Sequence, residues 1–109
     1  MATLSTQVVA LAGITPTYAS AASGGDKVAP SERTFLHVKN GGGSPITVTL
    51  AATASVRGQT VTSPTVSVPA SGEKMIGPLT ADLFAGASDG LVAVTYSSNT
   101  TVTVAALRI

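Results

Sequence analysis

The chain has 109 residues, a net charge of +1, no cysteine, and charged side chains at only 10% of positions. That is the length of one domain; it excludes disulfides and thiolate metal sites and leaves no basic footprint for nucleic acid. A hydrophobic content of 44% excludes disorder, and no run approaches the ~18 apolar residues of a membrane span.

The apolar residues are small: 17 Ala and 13 Val, against two Phe, two Tyr and no Trp. Large side chains supply most of the buried area in a core, and a domain of this size is already short of it. The composition therefore predicts support from neighbours, as a homo-oligomer or a lattice component.

Residues 3–12 read as a strand or docking arm, with Leu4, Val8, Val9 and Leu11 as its apolar contact residues. The run 8–14 followed by Ala19-Ser20-Ala21 has the outline of a secretory leader. No Lys or Arg precedes it, so that reading is set aside. Residues 15–31 form a long irregular link broken at Gly24-Gly25-Asp26. The expected division is an arm and link over 1–31 and a β-sandwich over 32–109.

Two hairpins are predicted. The first joins Arg33–Asn40 to Pro45–Ala51 through Gly41-Gly42-Gly43. Pairing Asn40 with Ser44 puts Leu36, Val38, Ile46, Val48 and Leu50 on one face. Between the hairpins, Arg57-Gly58-Gln59 flanked by Val56 and Val61 reads as a turn. Pro64 and Pro69 fence an edge strand carrying Val66 and Val68 inward. Ser71-Gly72 is another turn, and residues 79–89 hold at most one helical turn, with Leu79, Leu83 and Phe84 as core plugs.

The second hairpin closes the chain. A three-residue loop, Ser97-Ser98-Asn99, aligns Val92, Val94 and Tyr96 with Val102, Val104 and Ala106 and places Asn99 in the left-handed region. Leu107 and Ile109 change phase, which predicts a bulge at Ala105-Ala106. Thr95, Thr101 and Thr103 would then form a neutral, hydroxyl-rich contact face. The whole pattern is all-β: a small two-sheet sandwich or jelly-roll-like barrel of about seven or eight strands.

No grouping of residues carries chemistry. His37 is the only histidine and sits mid-strand, without the convergent ligands of a metal site or an adjacent nucleophile. Asp26, Glu32, Glu73, Asp82 and Asp89 each lie beside a turn signal, where solvation explains them. Gly41-Gly42-Gly43-Ser44 lacks the GK[ST] ending and the helix of a phosphate loop. The expectation is no enzyme, no cofactor, no metal and no membrane or nucleic-acid partner.

Three stretches, RTFLHVKNGGGSPITVTL (33–50), VSVPASGEKMIGPL (66–79) and GLVAVTYSSNTTVTVAALRI (90–109), resemble small virion structural proteins of tailed bacteriophages. The resemblance implies capsid decoration, also called cement. A small β-domain, commonly a trimer, would sit on the outer capsid surface and bridge major capsid proteins. It would be made in the bacterial host cytoplasm and end in the virion. Two other readings compete: a head–tail connector or tail-surface protein, and a glycan-binding adhesin using Tyr18, Phe35, Phe84 and Tyr96 as a platform.

Overall fold

Strands adjacent in the sequence mostly lie in different sheets. The computed structural model describes residues 2–53, 55–60, 62–86 and 90–109. In chain order its strands are β1 (Ala2–Thr3), β2 (Thr6–Val8), β3 (Ala19–Ser20), β4 (Asp26–Val28), β5 (Thr34–Asn40), β6 (Ile46–Leu50), β7 (Ser55–Val56), β8 (Gln59–Thr60), β9 (Thr65–Val68), β10 (Glu73–Ile76), β11 (Val92–Tyr96) and β12 (Val102–Arg108). One helical turn, α1 (Ala81–Phe84), precedes β11. Sheet A runs β1-β4-β11-β6-β9; sheet B runs β10-β5-β12-β2, with β3 also beside β12. β7 and β8 form a separate hairpin.

The two sheets make a β-sandwich, as the alternation predicts, but neither predicted hairpin exists. β5 pairs with β10 and β12, whereas β6 pairs with β9 and β11. The Gly41–Gly43 segment is therefore an arch from sheet B to sheet A. The link from β11 to β12 is a second arch, in the opposite direction. The predicted inward residues are nonetheless right: Leu36, Val38, Ile46, Val48, Leu50, Val92, Val94, Val102, Val104 and Ala106 are all buried in one cluster. Across an arch, the two apolar stripes face each other through the core instead of lying side by side. Each fully buried Val or Leu contributes roughly 1.5–3 kcal/mol of transfer free energy either way. Burial alone thus does not distinguish the arrangements.

The side chain of Asn40 holds the first arch. It is buried, and its Nδ2 donates to the carbonyls of Ser44 (2.8 Å), Pro69 (3.3 Å) and Val68 (3.4 Å), while Oδ1 accepts from Gly42 N–H at 3.0 Å. One amide side chain thus satisfies backbone groups that a paired hairpin would satisfy through its ladder. In the second arch the left-handed residue is Thr101 (φ 58°), not Asn99. Thr101 turns its carbonyl to accept Gly41 N–H at 2.9 Å, which ties the two arches together.

No bulge occurs at Ala105-Ala106. β12 keeps one register with β5 from Val102↔Asn40 to Arg108↔Thr34. Leu107 and Ala105 are apolar because the outer face of sheet B is itself covered there. The turn before β8 is Arg57-Gly58, both at positive φ, and Gln59 already belongs to the strand. The edge position of β9 and the inward Val68 agree with its flanking prolines. Leu79 and Phe84 plug the core, as expected. Val61 and Asp89, and the side chains of Val56 and Leu83, lie outside the described residues.

The expected division at residue 31 is not a division in the fold. β1 adds to the edge of sheet A, parallel to β4, and β2 adds to sheet B, parallel to β12. Between them Leu4 donates its N–H to Lys27 O at 2.8 Å and packs against the core. The segment crosses the gap between sheets and closes that side of the sandwich. With β3 and β4, residues 2–28 supply four strands, which raises the two main sheets above the seven or eight strands expected.

Candidate interaction surfaces

Strand parity sends Thr95 outward from sheet A. There it meets Thr49 on β6, and Thr49 meets Thr65 on β9, in one cross-strand row. A second row aligns Thr47 with Ser67. Ser97 extends it: Thr47 N–H donates to Ser97 Oγ at 2.8 Å, and Ser97 N–H to Thr47 O at 2.9 Å. Six hydroxyl side chains thus form two rows of three, about 4.8 Å apart across strands and about 6.7 Å along them. Thr49 is half-buried and the other five are exposed. These rows hold no charged residue, and β-branched threonine suits the pleated surface.

The other predicted contact residues scatter. Thr103 is half-buried on the outer face of sheet B, paired with Ser20, and Thr101 is exposed on the arch. The expected Thr95–Thr101–Thr103 face does not form, because β11 and β12 belong to opposite sheets. Leu4 is spent on the domain's own core. Val8, Val9 and Leu11 remain exposed, Leu11 completely.

The outer face of sheet B carries a polar cluster. Gln7 clamps the returning chain, donating Nε2–H to Thr17 O and accepting Thr17 N–H, both at 2.8 Å. Next to that clamp, Tyr18 Oη lies 2.7 Å from His37 Nδ1, and its ring meets the imidazole edge-on at 5.4 Å. Lys39 Nζ sits 4.1 Å from the centroid of the Tyr18 ring, a cation–π approach. On the other side, His37 Nε2 is 3.3 Å from Glu73 Oε1, close enough for an ion pair but not aligned as a hydrogen bond. A neutral imidazole protonated on Nε2 accepts from Tyr18 and faces Glu73 with its N–H. Carboxylate, imidazole and hydroxyl stand in the order of a nucleophile-activating relay. Here the relay pins residues 9–18 to the sheet, and among the described residues no group of three metal-ligating side chains occurs.

Of the carboxylates read as solvated turn residues, Glu32, Glu73 and Asp82 are exposed, but Asp26 is not. It is 1% exposed, facing inward beside Val94. Tyr96 donates its hydroxyl to Oδ2 at 2.7 Å, and Ala22 N–H approaches the same oxygen at 3.4 Å. Burial, and secondarily the hydrogen bond and charge of Asp26, push the Tyr96 phenol far above the ordinary tyrosine range. Sequence reading missed this pair because residues 70 apart meet only through the β4–β11 ladder. The shared inward parity of Tyr96 with Val94 was its one signal. Phe84 is buried as well, so the four aromatics form no common platform.

Beyond the polar cluster the same face opens into a groove of about 670 Å³, lined by Phe35, Met75, Gly77, Pro78 and Ile109 together with Glu32, Arg33 and Thr34. Compared with protein-family models, curated proteins and solved structures, the chain matches none. Among the described residues, no helix is long and apolar enough to cross a membrane.

Proposed function

We propose that the protein is a phage capsid decoration protein with a structural, non-catalytic role. It seats as a homotrimer on the outer surface of the head shell and bridges neighbouring major capsid subunits. The resemblance of residues 33–50, 66–79 and 90–109 to small virion proteins supports this reading. The observation that carries it is the hydroxyl lattice on sheet A: Thr47, Thr49, Thr65, Ser67, Thr95 and Ser97. Such a surface offers methyl groups for close packing and hydroxyls that donate or accept as the partner requires. It presents no charge in its two rows to be desolvated on contact.

The test is binding of the purified chain to undecorated head shells, beside a Thr95→Lys variant. Wild type saturates the shell at hundreds of copies, whereas Thr95→Lys binds at least tenfold more weakly with an unchanged circular dichroism spectrum. Saturation at six or twelve copies would assign the protein to a connector ring instead. Absence of binding would remove the decoration reading altogether.

A further inference from the structure

We propose that Asn40 is a self-modification site guarded by the fold. When the first arch opens, the Gly41 amide nitrogen attacks the Asn40 carboxamide, and the aspartate or isoaspartate that results cannot hold the arch again. The modification goes beyond the decoration reading and does not rest on it.

The reactive pair is written in the sequence. The chain has two asparagines, Asn40 and Asn99, and only Asn40 is followed by glycine. Glycine has no side chain, so in an open chain its nitrogen swings onto the preceding carboxamide unhindered. Asn99 is followed by Thr100, whose branched side chain crowds the same approach. In the reaction a bond forms between Gly41 N and Asn40 Cγ, and the Cγ–Nδ2 bond breaks. Nδ2 leaves as ammonia, with the proton that the Gly41 nitrogen gives up. Water then opens the cyclic imide at one carbonyl to give aspartate, or at the other to give isoaspartate. No oxidant, metal or partner takes part.

In the folded chain the groups that must react are engaged elsewhere. Asn40 ends β5, is 2% exposed, and is paired with Val102 of β12. Gly41 N–H is committed to Thr101 O at 2.9 Å. Nδ2, the leaving nitrogen, donates to the carbonyls of Ser44, Val68 and Pro69, and Oδ1 is fixed on Gly42 N–H. The carboxamide is thus immobilised and shut off from the water that the reaction consumes. The same contacts reject the products. A carboxylate at position 40 sets oxygen against carbonyl oxygens without a donor. Isoaspartate also adds a main-chain atom between β5 and the arch, which displaces Gly41 from Thr101. Each opening of the arch therefore risks a permanent loss of stability.

The experiment incubates the full chain in mildly alkaline buffer with and without guanidinium chloride. Peptide mass spectrometry follows conversion at each asparagine, and thermal unfolding is recorded after the denaturant is removed. The native chain reacts only through its open fraction, so conversion at Asn40 should be at least about a hundredfold faster in denaturant. Asn99, already exposed in the fold, should stay unconverted in both. Refolded samples should show a lower-melting population that grows in step with conversion at Asn40. Gly41→Ala, compared in denaturant where folding plays no part, should convert at least about tenfold more slowly, because its methyl group hinders the attack. Asn40→Asp, made directly, should melt below wild type as the aspartate product does. Equal rates with and without denaturant overturn the proposal. So do a Gly41→Ala chain that converts like wild type, a lower-melting population that appears without conversion at Asn40, and an Asn40→Asp chain that melts like wild type.

Discussion

Tyr96 donates its hydroxyl to the buried Oδ2 of Asp26 across 2.7 Å, joining the ends of two adjacent strands of sheet A. Among the described residues, Ala22 N–H also makes a long approach to that oxygen. Removing the hydroxyl in Tyr96→Phe should therefore cost about 1.5–3 kcal/mol, the range for hydrogen bonds to charged groups. Urea unfolding at neutral pH measures it.

The same pair sets an alkaline limit. Burial, then the hydrogen bond and charge of Asp26, raise the Tyr96 pKa in the folded state, whereas an unfolded tyrosine ionises near pH ~10. Below that pH both states keep the proton and the contribution is complete. Above it the unfolded chain releases the proton that the folded chain retains, so stability falls as pH rises. Wild type should lose stability steeply above about pH 10, and Tyr96→Phe should show a shallower slope. Parallel slopes would detach the pair from the alkaline transition.

Asn40 makes a sharper test of the arch. Its Nδ2 faces three carbonyl oxygens and its Oδ1 a single N–H. Asn40→Ala should cost about 2–3 kcal/mol by stranding buried backbone groups. Asn40→Asp should cost more despite its near-identical shape, because a carboxylate oxygen would face carbonyl oxygens without a donor. Thermal unfolding of both variants gives the order.

What the sequence made legible was parity. Val92, Val94, Val102 and Val104 alternate with Ala93, Thr95 and Thr103, and every one of those valines is buried. Parity does not state which strand lies alongside. Gly41–Gly43 permits a hairpin or an arch equally, and the choice rests on Asn40 reaching Val68 and Pro69, 28 and 29 residues away. Likewise Leu107 and Ala105 look out of phase only if one face of β12 is solvated; in fact both faces are covered. The hydroxyl lattice was half legible. Thr95 pointed outward as read, but its neighbours Thr49 and Thr65 come from strands that the hairpin reading did not place beside it.

Thr101 holds φ 58°, a region unfavourable for a β-branched residue. Asparagine tolerates it better. Thr101→Asn should raise stability by about 0.5–1 kcal/mol, seen as an increase in Tm of a few degrees. A lower Tm would mean that the Thr101 side chain contributes more to the arch than its backbone conformation costs.

Tyr18 pins residues 9–18 through His37. Tyr18→Phe should lower global stability by only about 1 kcal/mol, yet hydrogen exchange at Thr17 and its neighbours should accelerate well beyond that of β5 and β12. Uniform acceleration across the domain would show that the excursion is not a separate unit.

The most direct test of the proposed decoration role is a cryo-electron microscopy reconstruction of phage heads incubated with the purified chain, with copies counted per head. The decoration reading predicts hundreds of copies on the outer shell, each with Thr49, Thr65 and Thr95 turned toward major capsid subunits. A ring of six or twelve copies at the head–tail junction, or particles that lack the protein, would contradict it.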